Sequence, residues 1–574
     1  MKRILTLRYA AAVTLAAALS IMAAASAPAA VCYFPGVTEV MTNADYWVWG
    51  DADADRVLLD GAGIARLNQK MLADPACCMF DLENYVLKEG ASAVPANRRM
   101  AEKAYEEIIK YAEKGGYFRR SGETVDAGFA EEIRDILLRA DPAAFRTLRY
   151  GIAVRRTDLR AWPTEEIVTD EKGDTDFDYV QLSGAAVNDP VVIAGETADR
   201  QWYYCCTDNC SGWIRASDLA VCKNKQEWLS AWKIPTSNVL VVTESRFALE
   251  YSNTHPELSG LVLTMGTVLE RADGAGPTGT VAAGAGSGAP GDRIGNRASF
   301  QNHVVWIPVR NADGSYQKVK ALISERHKVS EGYLPMTRRN ILRTALNALG
   351  DAYGWGGMLS AEDCSGFLHG LYACFGMRLP RNTTWQAASP LFRYDLNYLP
   401  DAEKAEVIGG LPAGAMLYFN GHTMLYLGEK DGKAYVLSSV SSMMDPFGTD
   451  RIRVRSVVIN NLDTRRANGN SWLTSLHTAV VPYFDPGEPG NGFRSFPDGI
   501  RYRRDNGSFA ALNWQEVGND WYYFDRDGLM AVDRWIPARD EADTWYYAGA
   551  DGRMARDTVI GGYPVDPDGA WRKE

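Results

Sequence analysis

A multidomain chain is predicted, with a helical region, two small β-barrels, an α+β domain and a C-terminal solenoid of β-hairpins. Three observations carry this. The chain has 574 residues, too many for one hydrophobic core. Its apolar pattern changes from helical stripes before residue 149 to short alternating runs after it. A Trp-Tyr-Tyr unit near the C-terminus recurs at an offset of 24 residues, the mark of a stacked repeat.

The first 30 residues read as an export signal. Lys2, Arg3 and Arg8 precede the apolar run Ala10 to Ala25, and Ala27-Pro28-Ala29 suits cleavage. Acylation at Cys32 is the alternative, disfavoured by Val31 where a small residue is wanted. No other segment is apolar for long enough to span a membrane. The mature protein is therefore expected to be exported, and soluble or wall-attached.

Residues 31–148 are expected to be mostly helical. Asn97 to Lys114 and Phe129 to Arg139 carry apolar stripes (Ala104, Ile108; Ile133, Leu137), and Gly115-Gly116 breaks the chain between them. From Arg149 the pattern turns to strands: Tyr179 to Leu182, Val191 to Ile193, Gln201 to Tyr204, then Ser211-Gly212-Trp213-Ile214-Arg215. A Gly-Trp-Ile strand after an aromatic strand resembles bacterial SH3-like barrels, here over 149–235. Strands at Val239 to Thr243, Leu261 to Leu269, His303 to Val309 and Val319 to Ile323 predict a second, less typical SH3-like barrel over 236–330. The Gly/Ala-rich stretch 272–291 falls between two of its strands and reads as a long loop.

Residues 331–485 form the α+β unit. An amphipathic helix, Thr337 to Leu349, is followed by one starting at Cys364 and stopping at Gly376. Strands Ala415 to Phe419, His422 to Leu427 and Ala434 to Leu437 come next. Helix-then-sheet order suits a papain-like core. Over 496–574, Asp520 to Ala531 recurs as Thr544 to Ala555, with a degenerate copy at Asp568-Gly569. Trp-Tyr-Tyr before an Asp-Gly turn is a hairpin that must stack on its neighbours. It resembles cell-wall-binding repeats of the choline- or glucan-binding type, which implies a wall polymer as partner. The same rings also suit simple packing of the solenoid.

Composition narrows the function. A net charge of −11 and a pI near 5.3 argue against nucleic acid as partner. Sixteen Trp and 28 Tyr suit surfaces that hold sugars or peptides, and equally the cores of small β domains. Of nine cysteines, Cys205, Cys206, Cys210 and Cys222 lie close enough for one or two disulfides, favoured over zinc because no histidine is near. Cys374 reads as a core residue.

The chemistry centres on Asp363-Cys364-Ser365-Gly366-Phe367, preceded by Tyr353-Gly354-Trp355-Gly356-Gly357. A cysteine at a helix start meets unpaired N–H groups and the positive dipole end, which favour the nucleophilic thiolate. Together with Leu379-Pro380-Arg381 and Gly421-His422-Thr423-Met424, these motifs resemble the NlpC/P60 cell-wall peptidases over 335–482. The resemblance implies an exported cysteine endopeptidase acting on peptidoglycan stem peptides, cutting between γ-D-glutamate and the diamino acid, with no metal or other cofactor. It makes Cys364 the nucleophile and His422 the base. Tyr353, Asp363 and Ser365 would shape the site and meet substrate. His369, five residues along the helix, is turned away, and His477 reads as structural.

Two positions depart from the family pattern. The residue that orients the base is normally His, Asn or Gln, and motif matching puts Ser438 there. Strand parity leaves this open: a two-residue turn at Asp431-Gly432 selects Ser439, and a three-residue turn with a bulge selects Ser438. Asn382 stands where relatives carry an aspartate that pairs with a free N-terminal amine, so glycan-linked stems become expected substrates. The first barrel is expected to wall this pocket, with Tyr203 or Tyr204 in contact. A wall-binding protein with a degenerate peptidase domain, and an acyltransferase, are the competing functions.

Overall fold

The computed structural model describes residues 33–87, 94–272, 293–487 and 490–573. The export signal, Cys32 and nearly all of the Gly/Ala-rich stretch lie outside the described residues. Among the described residues no helix is long and apolar enough to cross a membrane.

The helical region does not close a core of its own. Its first part, including the helix Gly61–Ala73 capped by the Asp60 carboxylate, buries Met41, Leu67 and Met71 in the same core as the α+β domain. The helices Ala96–Lys114 and Ala127–Arg139 instead bury Ile108, Phe129 and Ile133 against Trp162, Trp202 and Trp213 of the first barrel. Gly115, in the left-handed region at φ 68°, ends the longer helix.

The first barrel is a seven-stranded sheet in the order Gln181–Ala185, Thr157–Arg160, Ser211–Arg215, Trp202–Cys206, Pro190–Glu196, Arg149–Ala153, Leu219–Val221. The second is a five-stranded sheet with two separate strand pairs, Arg246–Ala248 with Val262–Thr264 and Arg293–Ile294 with Arg297–Ala298. The expected single strand Leu261 to Leu269 is two strands, Val262–Thr264 and Val268–Arg271. Gly266, at φ 84°, lets Thr267 N–H turn back to the Thr264 carbonyl.

The expected disulfides are absent: the eight described cysteines are all free thiols. Strand alternation explains part of this. Cys205 points into the barrel with Tyr203, whereas Cys206 points to the other face, with Cys222 and Trp228.

The α+β domain is an antiparallel sheet in the order Phe392–Asp395, Thr478–Val481, Met416–Phe419, His422–Lys430, Lys433–Met444, Arg451–Asn461. Helices Arg338–Leu346 and Cys364–Ala373 pack in the core it shares. Beyond it, hairpins at Gly492–Phe496/Gly499–Arg503, Asn513–Val517/Asp520–Phe524 and Arg534–Pro537/Thr544–Ala548 follow one another. The first hairpin lacks the Trp-Tyr-Tyr unit that marks the others in the sequence. Its following turn docks on the domain: Phe509 stacks on Phe392 at 4.3 Å and its N–H donates to the Arg393 carbonyl at 2.7 Å.

Candidate active site

Cys364 opens the helix Cys364–Ala373, and Asp363 is its N-cap, accepting the Gly366 N–H at 2.8 Å. The same carboxylate accepts the Gly356 N–H at 3.1 Å and the Ser365 hydroxyl at 3.1 Å. Arg381 completes the set with two bonds, at 3.2 and 2.7 Å, in the bidentate geometry guanidinium favours. Both partners are 8 % exposed. Burial pushes the Asp363 carboxyl up, but the guanidinium outweighs it and the acid stays ionised. Arg381 reaches further, to Ser365 Oγ at 3.1 Å and to Ser183 Oγ of the first barrel at 2.8 Å. Gln386 Nε2 donates to the Ser365 carbonyl at 3.0 Å.

His422 opens the strand His422–Lys430. Its ring lies against Trp472 at 5.0 Å and Phe419 at 5.3 Å, and the residue is half-buried. Nε2 is 3.1 Å from Ser438 Oγ, and Nδ1 has no hydrogen bond to another described residue. The next residue on the strand, Thr423, turns its backbone N–H toward the Cys364 sulfur. The Cys364 sulfur thus lies against the residue that follows His422 on the strand. Burial and the nearby Arg466 guanidinium hold the imidazole well below its ordinary range, so it is neutral.

The thiolate expected at the helix start is not the resting form. Cys364 is only 8 % exposed, and burial, then the Asp363 charge, pushes its thiol up to about 12. The amides of Thr423 and Ser365 pull the other way and do not win. The resting pair is a neutral thiol beside a neutral imidazole.

The hairpin settles which serine faces His422. Asp431 and Gly432 form a two-residue turn with φ 52° and 71°, the left-handed pair of a type I′ hairpin. That turn alone would select Ser439. A bulge between Tyr426 and Gly428 shifts the register by one residue, and Ser438 comes round to His422. Ser439 instead donates to the Glu362 carbonyl at 2.7 Å. Tyr353 is buried, close enough to Cys364 and Asp363 for burial and both charges to raise its hydroxyl, which also bonds Ser441.

Two other predicted residues are placed differently. Asn382 caps the helix Thr383–Ala388, its Oδ1 accepting the Trp385 N–H at 3.0 Å. Tyr203 does not reach the site: it lies in the first barrel's core, under the Arg149 guanidinium at 4.8 Å. Tyr204 faces Trp213 and Ser211.

The first barrel does wall the site, through residues that no motif marks. Arg156 pairs with Glu362 at 2.7 Å, Gln181 donates to the Gly356 carbonyl at 3.1 Å, and the Phe177 ring packs tilted against Trp355 at 4.2 Å. Asn209 meets His369 Nε2 at 3.1 Å. Acidic Asp174 and Asp176 of one loop pair with Arg455, whose carbonyl accepts the Tyr353 N–H at 2.9 Å. Among the described residues no group of three or more His, Cys, Asp or Glu could hold a metal ion.

Comparison with known proteins agrees with this geometry. Residues 350–457 match the NlpC/P60 family, and residues 168–215 match an SH3 domain of the SH3b1 type. Residues 513–530 match a putative cell wall binding repeat, and residues 542–571 a choline-binding repeat. Among solved structures, an NlpC/P60 endopeptidase from Photobacterium damselae subsp. piscicida is 18 % identical, with a TM-score of 0.60 over 80 % of this chain and 99 % of that one. It shows a shared fold. An NlpC/P60 family protein from Bacillus cereus is 16 % identical over 53 % of this chain and 83 % of that one, at a TM-score of 0.34. A choline-binding domain from Streptococcus pneumoniae is 30 % identical over 15 % of this chain and 98 % of that one, at 0.14. No curated protein matches the chain.

Proposed function

We propose that this chain, an NlpC/P60 domain set between an SH3-like barrel and choline-binding repeats, is an exported cysteine endopeptidase of peptidoglycan stem peptides. The bond we assign is that between γ-D-glutamate and the diamino acid. The observation that carries the reading is that Cys364, at a helix start capped by Asp363, meets the amide of Thr423, the residue after His422, whose ring bonds Ser438.

His422 Nδ1, the ring nitrogen left free by the Ser438 bond, takes the Cys364 proton as the sulfur attacks the amide carbonyl. Because both groups rest neutral, proton transfer accompanies attack and does not precede it. N–H groups at the start of the helix, with the Tyr353 hydroxyl, would stabilise the oxyanion. The tetrahedral adduct collapses to a thioester, and the imidazolium returns its proton to the departing amine. Water, deprotonated by His422, then attacks the thioester and frees the γ-carboxylate and the thiol.

The repeats would tether the enzyme to its substrate. Trp514 lies 5.4 Å from Tyr523 and 5.7 Å from Tyr546 of the next hairpin, an arrangement of rings that suits a quaternary ammonium group. Ser438 in place of a stronger orienting residue favours one alternative, a weakened or inactive wall-binding protein. Digestion of purified sacculi, with fragments read by mass spectrometry, tests the main reading. Release of peptides that begin with the diamino acid, leaving glycan stems that end in γ-D-glutamate, is expected of the wild type and not of Cys364→Ala. Unchanged sacculi, with no His422-dependent labelling of Cys364 by a thiol probe, favour the alternative.

A further inference from the structure

A cavity of about 440 Å³ opens where the α+β domain meets the first C-terminal hairpin unit, within the range of ligand pockets, roughly 300–1,000 Å³. One wall is Phe419-Asn420-Gly421, the turn that leads directly into His422. A second is the helix Thr383–Ala388, the one capped by Asn382. The third is Asn506 and Ser508 of the hairpin unit. The cavity therefore adjoins the candidate catalytic residues and is completed by the module that holds the wall.

Its chemistry is polar but carries little unpaired charge. Arg393 is spent on the Ala387, Ser389 and Asn506 carbonyls. Asp395 is spent on the Asn506 and Asn397 side-chain amides at 3.1 Å each. The side chains of Thr383, Thr384 and Asn420 line the space and make no hydrogen bond to another described residue. Hydroxyl and amide groups beside a Phe419 ring suit a neutral ligand rich in hydroxyls and acetamido groups, and offer little to an ion. The walls are fixed, because Phe509, Ala511 and Leu512 of the hairpin unit are buried in the domain's own core.

We propose that this cavity is a saccharide subsite, taking the N-acetylated amino sugar to which a stem peptide is joined. The inference rests on the peptidase reading and names the form of its substrate. Asn382 is consistent with it: its side-chain oxygen is committed to a helix cap and supplies no charge to select a free peptide amine.

The test compares two substrates with one peptide sequence, a free tripeptide and the same tripeptide on its N-acetylglucosaminyl-N-acetylmuramyl disaccharide. The full chain is used, with Thr384→Trp to fill the cavity and Asn420→Ala to remove an amide without adding bulk. The wild type is expected to favour the disaccharide form in kcat/KM. Either variant is expected to lower the ratio of the two by about tenfold. Equal rates with a ratio unmoved by both variants would overturn the subsite and leave the peptidase reading standing. If neither substrate is cut, the peptidase reading fails. Calorimetric Kd values for the two ligands on Cys364→Ala, with and without Thr384→Trp, then decide the subsite. Tighter binding of the disaccharide form, lost with Thr384→Trp, supports it, and equal binding overturns it.

Discussion

Asp363, which sets the start of the cysteine helix, accepts five hydrogen bonds, from Gly356, Ser365, Gly366 and both terminal nitrogens of Arg381. His422 is tied by one side-chain bond, to Ser438, and by ring contacts with Phe419 and Trp472. The nucleophile's side is over-determined and buried, and borrows Ser183 from a neighbouring barrel. The base's side is lightly held and partly open. The nucleophile's position should thus be insensitive to small changes, whereas the orientation of the base is where activity is tuned. The most direct way to break this comparison is to remove the nucleophile itself. Cys364→Ala should abolish hydrolysis, a loss on the order of 10⁶-fold in kcat, as for other covalent nucleophiles, while melting temperature and wall binding stay close to wild type. Residual cleavage of muropeptides within a hundredfold of wild type would move the chemistry elsewhere.

The next largest effect tests whether the Asp363 network is structural support. Asp363→Asn keeps the cap's shape and leaves the buried Arg381 charge without its hydrogen-bonded counter-ion. Removing one partner of such a pair costs about 3–5 kcal/mol, so chemical denaturation should show a loss of that size in the α+β domain. Adding Arg381→Met should recover part of it. An Asp363→Asn variant as stable as wild type would show that the side chains, and not the charge pair, hold the helix start.

Much of this flank is legible in the sequence because it is local. Asp363, Ser365 and Gly366 lie within a turn of Cys364, and a cap signature needs no tertiary knowledge. What escapes is non-local. Ser183, Arg156 and Asn209 are ordinary polar residues on short strands and turns, and only the docking of the barrel gives them partners. Tyr203 and Tyr204 look alike in sequence, and strand alternation turns both into barrel packing. The thiolate expectation fails for a related reason. A helix terminus is a local feature, but the burial that outweighs it comes from the whole domain. Similarly, one bulge near Leu427 chooses Ser438 over Ser439, and nothing in the hairpin turn announces it.

The base's side can be examined through pH. A neutral, buried His422 has its proton affinity depressed in the folded state. Its contribution to stability is fully present above the unfolded value, near 6.5, and is lost as pH falls below it, because the unfolded chain then binds a proton that the folded chain does not. The slope is at most about 1.4 kcal/mol per pH unit, and the residue's partial exposure reduces it. His422→Gln should therefore lose less melting temperature than wild type between pH 7.5 and 5.5. Parallel losses would mean that the imidazole is solvated and charged, and that the base is not held as argued.

The smallest effect concerns the one side-chain hydrogen bond that His422 makes among the described residues. Ser438 is 1 % exposed and its hydroxyl faces His422 Nε2 at 3.1 Å. A neutral hydrogen bond of this kind contributes about 0.5–1.5 kcal/mol, so Ser438→Ala should lower kcat roughly two- to tenfold with KM little changed. The substitution removes no charge and little volume, so stability should move less than activity. Ser438→His supplies a ring nitrogen as a stronger acceptor and should raise the single-turnover rate if the lightly held base limits catalysis. The tight site makes overpacking the competing outcome, and Ser438→Asn, smaller and able to accept the same bond, separates the two. If Asn raises the rate and His does not, volume is limiting. If neither raises it, the orientation of His422 is already set by Trp472 and Phe419, and the rings, not the hydrogen bond, hold the base.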